Sequence, residues 1–292
     1  MVAIVTDSSA SLPAQLVGSH RVAIVPLHVA IDGTSYDEGV DVTADEVARA
    51  LRDGGAVTTS RPSPGAFLQV YEELAARGER EIVSVHLSAQ MSATLSSAEI
   101  AAEQSPARVR VVDSGTVGMA MGYAVLTAVE AAEAGADLSS VAQVAADTAA
   151  ASRTFVYVDT LEYLRKGGRV GKASAFFGSA LAIKPLLQVS GGHIEPLERV
   201  RTSTRAMSRL VALTVEAAAA CDAGVDLAVQ HLAARDRAEQ LAERLAGEVD
   251  QARRVHLVEL GAAVGAHAGP GTIAVSLSPR SPGRRAVVGA GD

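Results

Sequence analysis

The chain has no Trp, and aromatic residues make up only 3% of its 292 positions. Flat rings for stacking nucleobases are therefore scarce, and the cores must pack from Ala, Val and Leu. The single cysteine, Cys221, cannot form an internal disulfide, and no C-x-x-C or Cys/His cluster offers a zinc ligand set. Such usage fits a reducing cytoplasm. Lys and Arg total 26 against 33 Asp and Glu, a net charge of −7 without a dense basic run. Nothing would neutralise a phosphate backbone, which argues against a nucleic-acid partner. No stretch reaches the roughly 18 consecutive apolar residues of a membrane span. The N-terminus has no basic segment ahead of an apolar run and cleavage site. A soluble, unprocessed protein with no integral membrane segment is expected.

Catalytic signatures are missing too. There is no G-x-S-x-G elbow for a serine nucleophile and no G-x-x-x-x-G-K-[ST] loop for phosphates. The nearest approach to a dinucleotide fingerprint, "KGGRVGK", follows a helix-like segment where a strand is required. Paired carboxylates at catalytic spacing are absent, and no metal or other cofactor is expected.

What is present is ample core material, 48% hydrophobic, in a length that suits two α/β domains better than one. Strand runs at 2–7, 21–31, 81–88 and 108–114 alternate with amphipathic helical runs. That is the pattern of a mostly parallel sheet with helices on both faces. After residue 152 the pattern changes. "IKPLLQVSGGHIEPLERV" places Gly191-Gly192 between two extended runs, a hairpin signal, so a C-terminal mixed-sheet α/β domain follows. The expected division is 1–152 and 153–282, closely packed for want of a linker, with 283–292 as a flexible tail.

"VTDSSASLP" runs a strand directly into an acid and serines. Ligands of open α/β sheets bind beyond the carboxyl ends of strands. Asp7-Ser8-Ser9, Thr58-Thr59-Ser60, Ser88 with Ser92, and Asp113-Ser114 all repeat the arrangement. Each also leads into a helix, where Ser, Thr and Asp are the preferred caps. His267 sits in a small-residue loop, "AVGAHAGPG", where glycines permit close backbone approach. A lone histidine there serves structure or ligand equally well.

Taken in order, "VTDSSASLP", "TTSRPSPGAFLQVYEEL", "LSAQMSATLSSAEIAA", "VVDSGTVGMAMG", "LEYLRKGGRVGKASAFFGSALAIKPLLQVSGGHIEPLERVRT" and "GAHAGPGTIAV" resemble the DegV family of bacterial fatty-acid-binding proteins from residue 2 to about residue 278. The resemblance implies a DegV-like two-domain α/β protein that encloses one long-chain fatty acid and is not itself an enzyme. It further implies a FakB-like subunit that presents the acyl carboxylate to a separate ATP-dependent fatty acid kinase, which makes the acyl phosphate. Transient contact with a membrane surface is compatible with that role.

By motif, the carboxylate falls to Thr59, Ser92 and His267, with Ser8, Ser9, Ser60 and Thr94 as neighbouring pocket candidates. Neutral donors can replace the hydration of a buried carboxylate, so no fixed cation is required. Phe176 and Phe177 are candidates for limiting tunnel length, and Arg169 and Arg201 for contact with the kinase. Ala93 stands where the family has Gly, which disfavours a positive φ beside Ser92, and Ala268 where a Thr is common. Two other readings stay open: a serine-dependent hydrolase with Ser92 or Ser8 as nucleophile and His267 as base, and a lipid-responsive regulatory protein.

Overall fold

The computed structural model describes residues 1–17, 22–171, 173 and 183–280. It opens with β1 (Ala3–Asp7), buried at every position, as a central strand covered on both faces must be. A short 3-10 turn (Ser8–Ala10) and α1 (Ala14–Val17) follow. The run 21–31 reads as one strand from its apolar content, but it is two, β2 (Val22–Val25) and β3 (His28–Ile31), which join different sheets. Pro26 separates them, having no N–H to give a ladder.

β3 pairs antiparallel with β4 (Thr34–Asp37) and, beyond α2 (Ala44–Arg52), with β5 (Val57–Ser60). This three-stranded sheet is an addition to the parallel architecture that the sequence pattern announces. α2 is held at its start by a capping box between Thr43 and Glu46. α3 (Pro64–Ala76) begins at a Ser63 cap. Then β6 (Glu81–His86), α4 (Thr94–Gln104) and β7 (Arg108–Asp113) complete a four-stranded sheet, order β2-β1-β6-β7, parallel throughout.

α5 (Met119–Glu133) and α6 (Leu138–Ala151) lead into β8 (Arg153–Tyr157) and the short α7 (Glu162–Lys166). β9 (Lys184–Ser190) and β10 (His193–Val200) form the expected hairpin, with φ of 55° and 81° at Gly191 and Gly192. α8 (Ser203–Ala219), β11 (Val225–His231), α9 (Arg235–Glu248), β12 (Ala252–Glu259), α10 (Ala262–Ala268) and β13 (Ile273–Pro279) finish the described chain. The resulting mixed sheet has the order β10-β9-β8-β13-β11-β12. Pro196 is tolerated because β10 is an edge strand.

Two features position the site. α5, apolar around most of its circumference, is buried between the sheets and touches β1 and β6 on one side and β11 and β13 on the other. In the mixed sheet, alternate residues divide between two faces. Phe155, Tyr157, Leu186, Leu227, Val275 and Leu277 enter the core covered by α8 and α9. Thr154, Val156, Leu187, Val189 and Ala274 line a cavity instead. Among the described residues no helix is long and apolar enough to cross a membrane. Phe176, Phe177 and the stretch 283–292 lie outside the described residues.

Candidate functional site

The cavity is bounded on one side by the mixed sheet and on the other by segments that follow β1, β5 and β6. Its empty space, counting the open mouth, is about 1000 Å³. Leu27, Leu87, Val156, Leu187 and Val189 make much of the wall apolar. Thr59, Ser92 and His267, brought from three distant parts of the sequence, line this one space.

His267 is not in a loop but near the end of α10, which presents it toward β5. Its Nε2 lies 2.7 Å from Thr59 Oγ1, while Nδ1 is buried with no hydrogen-bond partner among the described residues. Nδ1 packs against Gly167 so tightly that a Cβ there would lie 2.0 Å from it. A protonated Nδ1 would be a buried donor with no acceptor, costlier than a bare lone pair. The geometry therefore assigns the proton to Nε2, which donates to Thr59 Oγ1 and leaves the Thr59 O–H to donate to a ligand. Burial, then the nearby Arg169 guanidinium, pushes His267 down to about 4. The ring is neutral at neutral pH.

Ser92 is half-buried, and its Oγ lies 2.9 Å from the hydroxyl of the fully buried Thr94. Thr94 has no other side-chain acceptor among the described residues, so it donates to Ser92, and the Ser92 O–H is left for the cavity. Ser92 Oγ also accepts from Thr94 N at 3.3 Å, which makes it a cap for α4 as well. Thr94 itself does not line the cavity. Ala93 has an ordinary φ of −82°, so the absence of glycine there carries no backbone strain. Ala268 lies in the wall as the last residue of α10.

The serines of the opening strand have different neighbours. Ser9 lines the cavity, but its hydroxyl is bonded to Asp7 Oδ1. Ser8 is not part of the lining: it donates to Glu38 Oε2 and accepts from Leu27 N at 2.9 Å. Ser60 is exposed at the cavity edge.

Two guanidinium groups, Arg61 and Arg169, stand in the wall, an addition to the set of neutral donors. Arg169 donates from Nε to Met91 O at 3.1 Å and from Nη1 to Gly167 O at 2.5 Å. It thereby ties the segment before Ser92 to the glycine beneath His267. Arg201 lies elsewhere, exposed in a shallow surface depression with Arg199 and Arg205.

Some buried chemistry has no motif to announce it. Tyr71 Oη donates to Ser84 Oγ at 2.9 Å, Ser84 Oγ lies 2.7 Å from His86 Nε2, and His86 Nδ1 lies 2.9 Å from Asp7 Oδ2. The order resembles a catalytic triad, yet all four residues are fully buried and Tyr71 seals the serine. Nor is His267 hydrogen-bonded to Ser92 or Ser8; its partner is Thr59. Glu38, buried and pushed up from its ordinary value chiefly by that burial, accepts from Ser8 and from Ala263 N at 2.9 Å, in the first turn of α10. It anchors the helix that carries His267. The adjacent acids in "YDEGV" give no sign of this. Gln230, in contrast, is visible as an amide directly after the apolar "LAV". It lines the cavity.

Fold and cavity together define an α/β protein whose sheets enclose a largely apolar chamber with a limited set of polar side chains in its wall. The chain belongs to the DegV family, whose members are described as uncharacterised proteins and whose model matches residues 1–280. A DegV domain-containing protein of Streptomyces coelicolor is 48% identical over 279 residues, which cover 96% of this chain and 99% of the relative. A DegV family protein from Thermus thermophilus, solved as a fatty-acid-binding protein, superposes with a TM-score of 0.90 at 32% identity, covering 96% of this chain and 99% of that one. DegV of Bacillus subtilis, a fatty acid binding protein, gives 0.86 at 29% identity with the same coverage, 96% and 99%.

Proposed function

We propose that this protein binds one long-chain fatty acid in the cavity between its halves, residues 1–152 and 153–282, and presents the carboxylate to a separate ATP-dependent fatty acid kinase. Thr59 and Ser92 donate hydroxyl hydrogens to the carboxylate, and neutral His267 holds Thr59 in the donating orientation. Arg169 lies beside them and balances the charge. The acyl chain runs along the floor of Val156, Leu187 and Ala274, where burial contributes roughly 0.8 kcal/mol per CH₂. The observation that carries this reading is the make-up of the cavity: apolar side chains along much of the sheet, and the hydroxyls of Thr59 and Ser92 in the same wall as a neutral imidazole.

The fatty-acid binding of the Thermus and Bacillus relatives supports the ligand class. Chemistry at the carboxylate then belongs to the partner, with exposed Arg201 as a docking cation. The hydrolase alternative is disfavoured because neither Ser92 nor Ser8 meets His267. A regulatory role for the lipid-bound protein would use the same cavity.

Calorimetric titration of a fatty acid and its matching alcohol against wild type, Ser92→Ala and His267→Ala tests the head-group assignment. Removing one donor from a buried anion costs about 1.5–3 kcal/mol, ten- to a hundredfold in affinity. The acid should lose that much and the alcohol far less. Equal losses for both ligands would make these residues structural.

A further inference from the structure

Away from Thr59 and His267, the apolar floor of the cavity is interrupted by a buried polar row. β13 begins beside α10, where Thr272 Oγ1 donates to Ala268 O at 2.9 Å. Four residues further along, about 13 Å at strand rise, Ser276 pairs across the sheet with Thr154 and Ala228. Gln230 lies two register steps nearer, opposite Ala274. Gln230 is 1% exposed, Ser276 0% and Thr154 5%. Gln230 and Thr154 line the cavity and Ser276 stands behind them.

The hydrogen bonds of this row have a direction. Met119 N donates to Gln230 Oε1 at 2.8 Å, which fixes the amide so that its nitrogen faces Ser276. Gln230 Nε2 donates to Ser276 Oγ at 2.9 Å, and Ser276 Oγ lies 3.1 Å from Thr154 Oγ1. Ser276, having accepted from the amide, donates onward to Thr154. The Thr154 hydroxyl hydrogen and the second hydrogen of Gln230 Nε2 then have no acceptor among the described residues. Reversing the Ser276–Thr154 bond would strand a hydrogen on Ser276, sealed from the cavity. Buried donors without acceptors are rare in folded proteins, and here both sit in the wall of a ligand chamber.

We propose that Thr154 and Gln230 recognise an oxygen substituent on the bound chain, so that the cavity prefers a fatty acid with a hydroxyl or keto group over the plain chain of equal length. This rests on the fatty-acid reading above and specifies its ligand. An oxygen at the matching carbon accepts from Thr154 and Gln230. A plain methylene there leaves both donors unmet and an apolar chain against them.

The full chain, stripped of lipid, is titrated with stearic acid and with a positional series of hydroxystearic acids, as wild type and as Thr154→Val and Thr154→Ser. In wild type one or two adjacent positions should bind about tenfold tighter than stearic acid, the worth of one well-made buried hydrogen bond. Thr154→Val, which keeps the branched shape and removes the hydroxyl, should bring that ratio to about one, while Thr154→Ser should retain it. Gln230→Met, measured the same way, serves if Thr154→Val does not fold, and should lower the same ratio. If stearic acid binds wild type but no isomer is preferred, or if the preference survives in Thr154→Val or Gln230→Met, the proposal is overturned and the fatty-acid reading stands. If neither acid class binds wild type, both fall together.

Discussion

Replacing Gly167 by alanine tests the arrangement of His267 from outside the ligand's own contacts. Gly167 ends α7 with φ −77° and ψ −7°, a right-handed conformation that alanine adopts freely. Any effect must therefore come from the added methyl. That methyl would lie 2.0 Å from His267 Nδ1 and 2.8 Å from Cε1, against about 3.5–4.0 Å for an ordinary contact. The ring has to withdraw by about 1.5 Å, which breaks its 2.7 Å bond to Thr59. The bond itself is worth about 1 kcal/mol, and the loss of an oriented hydroxyl from a buried anion raises the cost to roughly 1.5–3 kcal/mol. Fatty-acid affinity should fall about ten- to a hundredfold. Calorimetry on Gly167→Ala, His267→Ala and the double variant isolates the coupling. The three atoms nearest the added methyl all belong to the imidazole, so with the ring gone the double variant should bind no worse than His267→Ala alone. An equal further loss in the His267→Ala background, or no loss in Gly167→Ala, would refute the reasoning.

Two further expectations concern pH and partner. His267 titrates near 6.5 in the unfolded chain but is held neutral to about 4 in the fold. The unfolded state takes the extra proton, so stability is intact above pH 6.5 and declines toward pH 4, by up to about 3 kcal/mol. Glu38 acts in the opposite sense: its raised value makes the folded state the better proton acceptor, so its contribution improves on acidification. Urea unfolding across this range should show a shallower acid loss for His267→Ala and a steeper one for Glu38→Gln; an unchanged profile in His267→Ala would contradict the assignment. Arg201→Ala should weaken acyl-phosphate formation with a kinase subunit, most at low salt and less as salt screens the charge, while fatty-acid titrations stay near wild type. A parallel loss in both assays would put Arg201 in the binding site.

The parts of this architecture that were legible in the sequence are those written in local patterns. The alternation of strands and amphipathic helices gives the parallel sheet, and Gly191-Gly192 gives the hairpin because two successive positive φ values need glycine. The sheet of β3, β4 and β5 is hidden because Pro26 sits inside one continuous apolar run, so the break between two sheets looks like a single strand. His267 reads as a loop residue because α10 has only seven residues and glycine at both ends. Thr59, Ser92 and His267 are found through ordered motifs, whereas their geometry depends on groups that motifs do not mark. Gly167 matters for what it lacks, and Glu38 anchors α10 through Ala263, 225 residues away in the chain. Contacts at such separation leave no periodic trace. The hydroxyls after β1 divide likewise: Ser8 bonds Glu38 and Ser9 bonds Asp7, a distinction invisible in "TDSSA".

The central claim, that the chamber holds a fatty acid, is tested most directly by native mass spectrometry of the full chain purified gently from a bacterial host, with organic extraction of the same sample. The account predicts one fatty acid per chain, seen as a single mass increment and recovered in the extract. An extract without fatty acid, together with no increment after long-chain fatty acids are added, would contradict it.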